Sequence, residues 1–125
     1  MRRMKMHGLE AMPRITLGLT HSRAKALAFV RGYGIEDARL IGEANAQTVA
    51  LADGKDQRII VLVECEGATD AEMHALLAHE AVHVAQHYFE HLGEDDPSRE
   101  LAAYVIQHVT HYLIERHEEW KRRRE

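Results

Sequence analysis

The sequence predicts a small α+β domain in which a sheet-bearing first half is followed by two long helices. Short apolar runs separated by turn signals occupy residues 14 to 64, and after Gly67 the pattern switches to helical periodicity and keeps it to the C-terminus. A chain of 125 residues is long enough for one modest core and too short for two independent ones. Residues 1–125 are therefore expected to form a single domain with a sheet of about three strands, an N-terminal helix, a middle helix and a long C-terminal helix.

Arg14 to Leu19 (RITLGL) alternates as a strand does, and Ser22 suits the cap of a helix running to about Arg31, closed by Gly32-Tyr33-Gly34. Gln47 to Ala52 and Arg58 to Glu64 flank the stretch DGKD, whose Asp53-Gly54 pair signals a hairpin, so these two strands are expected to be antiparallel neighbours. The second is almost continuously apolar, which predicts burial on both faces and a central place in the sheet. Cys65 is the only cysteine, cannot form an internal disulfide, and reads as a small apolar strand residue.

Thr69 and Glu72 form a T-x-x-E capping box in which hydroxyl and carboxylate each satisfy one free backbone N–H, so the middle helix is expected to start firmly at Asp70. Its expected end is Leu92, with Gly93 taking the left-handed position. Met73, Leu77, Ala81, Val84, Tyr88 and Leu92 fall at helical spacing and read as its core stripe. EDDPSRE then turns the chain, with Asp96 as a cap and Pro97 at the first position of the last helix, whose apolar face is Leu101, Val105, Ile106, Val109, Tyr112 and Leu113.

Composition excludes several function classes. The apolar fraction of 46% and charged fraction of 29% are those of an ordinary soluble protein. No run approaches the length of a transmembrane span, and the basic start MRRMKMHG is followed by no apolar leader segment, so a cytoplasmic protein without a membrane partner is expected. A net charge of −4 argues against a nucleic-acid partner, and the basic end KRRRE complements the negative end of the last helix. Histidine is the unusual component: eight of the ten lie between His74 and His117.

Within LLAHEAVHVAQHYFEH, His79, Glu80 and His83 follow the order H-E-x-x-H. Residues four apart lie on one helix face, so the two imidazoles can converge on a single ion. Glu80, beside the first histidine, points to one side of that stripe, where a carboxylate can act as a general base without entering the coordination shell. His87 lies eight residues from His79, about 12 Å along a helix axis, too far to share the ion. The longer pattern H-E-x-x-H-x-x-G-x-x-H also fails, because Gln86 and Phe89 stand where its glycine and third histidine belong. The third donor is therefore expected from the following segment: Glu100 at the start of the last helix, with Glu94, Asp95, Asp96 and His108 as alternatives. A helical wheel puts Glu100 with Gln107 and His111, nearly opposite the apolar face. His74, His87 and His91 extend the histidine row and read as a solvated face, although His87 and His91 share the chelating i,i+4 spacing.

His79, Glu80 and His83, followed by Glu100 in the sequence ELAAY, resemble the gluzincin class of zinc metallopeptidases, and in particular small zincin-like proteins encoded by phages and prophages. The resemblance covers roughly residues 58 to 113. It implies a zincin-like fold, a zinc ion held by His79, His83 and Glu100, and hydrolysis of a peptide or protein substrate by zinc-bound water activated by Glu80. Tyr104 stands where many gluzincins carry an aspartate that orients a ligand histidine. Tyr104, His108 and His111 are the candidates for stabilising the oxyanion. A substrate would suit an exposed sheet edge, paired backbone to backbone. The alternative expectation is a non-catalytic zinc-binding structural or interaction protein on the same fold, such as a phage morphogenesis component; incidental histidines on a helical module form a third.

Overall fold

The computed structural model describes residues 4–35 and 45–124 and divides at Gly67 into two compact units. The first holds β1 (His7–Leu9), β2 (Met12–Thr20), α1 (Arg23–Arg31), β3 (Ala46–Asp53) and β4 (Asp56–Val63), and the second holds α2 (Asp70–Leu92) and α3 (Arg99–Arg124). The architecture is α+β, with three helices and a mixed sheet of four strands among the described residues, in the order β1-β2-β4-β3.

The fourth strand corrects the expectation of about three. It is β1, a three-residue segment too short to show alternation, paired antiparallel with β2 through His7↔Leu17 and Gly8↔Thr16. β2 and β4 run parallel from Ile15↔Gln57 to Thr20↔Leu62, whereas β3 and β4 form the expected antiparallel hairpin. Asp53 and Asp56 pair across that hairpin, so Gly54 and Lys55 are the loop. Gly54 has φ 66, which the glycine adopts without a Cβ penalty.

β4 is internal, as its apolar run predicts. Ile60 and Leu62 join Val49 and Leu51 of β3 and Ala26 and Val30 of α1 in one buried cluster, while the alternate residues Ile59, Val61 and Val63 are buried as well. Ser22 caps α1, its Oγ accepting from Lys25 N at 3.2 Å. Cys65 lies beyond the end of β4, half-buried and outside any strand, which corrects its reading as a strand residue.

Two positions in β2 follow from backbone geometry. A Cβ on Gly18 would meet Met6 Sδ at 2.5 Å and the Lys5 carbonyl oxygen at 2.9 Å, so the N-terminal segment crosses the strand there only because residue 18 lacks a side chain. Arg14 has φ 69, a left-handed conformation, beside the register shift between β1 and β2.

In the second unit α2 has the bounds its caps predict. Thr69 Oγ1 accepts from Glu72 N at 3.1 Å, Glu72 Oε1 accepts from Thr69 N at 3.0 Å, and Gly93 closes the helix at φ 72. α3 begins later than expected. Ser98, not Asp96, supplies the cap, with its Oγ accepting from Leu101 N at 3.1 Å and its carbonyl accepting from Ala102 N, so Pro97 precedes the helix.

The core stripes also need correction at the helix ends. Leu92 is 50% and Leu101 43% exposed, because one closes α2 and the other opens α3, in end turns that neighbouring residues cover poorly. Ile106 is half-buried, whereas Ala85, Phe89 and His117 are buried although the stripes omitted them. Lys121 Nζ donates to Asp70 Oδ1 at 2.8 Å and His74 Nε2 lies 3.1 Å from Glu118 Oε1, so α2 and α3 run antiparallel, with the start of one beside the end of the other. The basic terminus is engaged within α3 itself: Arg123 pairs with Glu119, and the Arg124 guanidinium lies 4.5 Å above the Trp120 ring. Among the described residues no helix is long and apolar enough to cross a membrane.

Candidate metal centre

The capping box and Gly93 fix α2 over 23 residues, and that regularity decides where the motif points. Each residue turns by about 100° around the axis. The buried residues Met73, Leu77, Ala81, Val84 and Tyr88 define one side, and His79 and His83 stand on the other, exposed side. The His79 side chain is 65% exposed. The two rings are direct neighbours, with centroids 4.9 Å apart and planes at 75°.

Glu80 occupies the boundary between these sides. It lies two turns after Met73 and one turn before Val84, and its side chain is 5% exposed although its neighbour His79 faces solvent. Glu80 Oε2 is 4.0 Å from His79 Nε2. A carboxylate thus stands beside the exposed pair on the inward flank of the helix. His83 Nδ1 lies 3.0 Å from Gln86 Oε1. In the sequence Gln86 stands where the longer motif has glycine, and its i,i+3 spacing from His83 is the one signal of this contact.

The expected third donor lies elsewhere. Glu100 is exposed in the first turn of α3. The Asp70–Lys121 and His74–Glu118 pairs mark the register of the antiparallel helices, in which His83 is level with Val109 and Glu100 with Leu92. At 1.5 Å per residue, Glu100 is about 13 Å further along the hairpin than His83. Asp70 and His74, which reach α3, also stand roughly half a turn around α2 from His79 and His83. Glu94, Asp95 and Asp96 are exposed in the connection beyond α2, further still from the pair. Tyr104 and His108 are exposed on α3 with ring centroids 4.3 Å apart, and His111 Nε2 lies 3.0 Å from Glu115 Oε1 on the same stripe. The structure therefore brings His79, Glu80 and His83 together, and Tyr104 with His108, but does not join the two groups. Among the described residues no three His, Cys, Asp or Glu side chains gather in a metal-holding arrangement.

Several titrating groups of α2 and α3 outside the motif are perturbed. The hydrogen bond from His74 holds the Glu118 carboxyl below its ordinary range, and the hydrogen bond from Lys121 does the same for Asp70. Burial lowers the His117 pKa and pushes the Tyr112 phenol up to about 12, so the phenol stays neutral.

His79 and His83 supply two accessible imidazoles one turn apart with a carboxylate alongside, two of the three protein ligands that a catalytic zinc takes. Comparison of the chain with protein families, curated proteins and solved structures finds no match.

Proposed function

We propose that this chain is a zinc-dependent peptidase of gluzincin type with a zincin-like fold, acting on a peptide or protein substrate. The observation that carries this reading is the edge-to-face pair of His79 and His83, exposed on α2 with Glu80 Oε2 4.0 Å from His79 Nε2. Zinc, when bound, supplies Lewis acidity that polarises a peptide carbonyl and makes water a stronger acid. His79 and His83 would hold the ion through ring nitrogens. Glu80 takes the proton from the attacking water on a carboxylate oxygen and returns it to the departing amine, and its sheltered position keeps that carboxylate partly screened from bulk water. Glu100 is the third donor in this reading. Because it stands about 13 Å along the hairpin from His83, and the pair lies roughly half a turn around α2 from the residues that reach α3, its participation requires α3 to slide along α2 and α2 to turn when metal binds. Tyr104 would travel with it, as a donor to the developing oxyanion, whereas His108, level with Val84 in the same register, would be carried about 13 Å past that level.

The separation between the histidine pair and the α3 groups favours a second reading, a zinc-binding structural or interaction protein without hydrolysis. The Glu80→Gln variant distinguishes the two. For a peptidase, zinc content is unchanged and cleavage of an unfolded protein substrate falls about 100-fold or more. Full activity in that variant removes Glu80 from the chemistry, and a zinc-loaded wild type that cleaves nothing supports the second reading.

A further inference from the structure

We infer that Gln86 is a positioning residue that selects the metal-binding tautomer of His83, an inference that rests on the zinc reading above. His83 Nδ1 and Gln86 Oε1 are 3.0 Å apart, an ordinary hydrogen-bond length. With the amide oxygen as the acceptor of this contact, Nδ1 carries the hydrogen and donates it. A neutral imidazole has one N–H, which leaves Nε2 with a free lone pair, the state a metal ligand needs.

The geometry makes this contact local and cheap. Gln86 is three residues after His83, one turn along the same exposed face, so both side chains meet without help from another element. His79 lies on the other side of His83, at 4.9 Å between ring centroids and 75° between planes. His83 is thus flanked by its partner donor and by a group that holds its ring nitrogen. Ligand histidines in metal sites gain orientation and basicity when the nitrogen not bound to metal donates to an oxygen, and losing such a partner costs about 10–100-fold in affinity. Here a glutamine amide fills that place, one turn after the ligand.

The test is made first without metal. In the full-length 15N-labelled protein at alkaline pH, two-bond 1H–15N correlations are expected to show His83 Nδ1 protonated and Nε2 bare. Gln86→Ala is expected to release the ring into a mixture of tautomers and weaken zinc binding about tenfold or more, with helix content by circular dichroism unchanged. Gln86→Glu, which restores an acceptor oxygen, is expected to recover both the single tautomer and the affinity. A bare Nδ1 in the wild type, or ring shifts that Gln86→Ala leaves unmoved, overturns the inference. Unchanged zinc affinity in Gln86→Ala overturns it too. A wild type with the expected tautomer that binds no zinc overturns the metal role through the failure of the zinc reading, and the metal-free spectrum identifies that as the cause.

Discussion

Gly18 and Arg14, four residues apart in β2, respond to substitution in opposite directions. Gly18→Ala places a Cβ against Met6 Sδ and the backbone oxygen of Lys5, so the N-terminal segment must shift, at an expected cost of about 1–3 kcal/mol in urea denaturation. Arg14→Gly relieves a left-handed φ of 69 and is expected to stabilise by about 0.5–1 kcal/mol, the strain removed exceeding the backbone entropy added. His117 sets a pH dependence. Burial lowers its folded pKa below the ordinary 6.5, so the unfolded chain takes up the proton first as pH falls. That contribution to stability is full above 6.5 and is lost as pH falls through the folded pKa. Asp70 and Glu118 act in the same direction at lower pH, their contributions being full above 3.8 and 4.5 and lost below. Thermal melting is therefore expected to weaken from pH 7 towards pH 5, and that decline is expected to be missing in a His117→Phe variant. An identical decline in that variant removes His117 as its source.

At the scale of elements, caps decide where the helices begin. Thr69→Ala and Ser98→Ala are each expected to cost about 1 kcal/mol, measured by chemical denaturation, because each removes the acceptor for one backbone N–H of a first turn. α2 was legible to the residue because its start and stop are both local chemistry, a reciprocal box at Thr69 and Glu72 and a left-handed glycine at 93. The start of α3 was not, since Asp96 and Ser98 can both cap and Pro97 fits more than one place; which hydroxyl or carboxylate meets the helix depends on how the whole turn closes. The β3–β4 hairpin was legible from Asp53-Gly54, whereas the parallel pairing of β2 with β4 joins strands about 40 residues apart and leaves no local signature. β1 has too few residues to declare a period.

For the whole molecule, the functional reading rests on chemistry that spacing alone reveals and on a registration that it does not. His79, Glu80 and His83 were readable because four residues nearly complete a helical turn. Glu100 follows the motif at a suitable distance in sequence, but its level along the hairpin, with Leu92, is read from ion pairs at the far end, Asp70 with Lys121 and His74 with Glu118, and no local spacing reveals it. The Gln86 contact was missed because spacing shows that two side chains can meet, not that they do. Zinc content of the untagged protein tests the central claim most directly, measured by elemental analysis in the wild type beside His79→Ala, His83→Ala and Glu100→Ala. The expected result is one zinc per chain in the wild type, loss in both histidine variants and weakened retention in Glu100→Ala. A wild type free of zinc after purification in its presence, or undiminished zinc in His79→Ala, would contradict it.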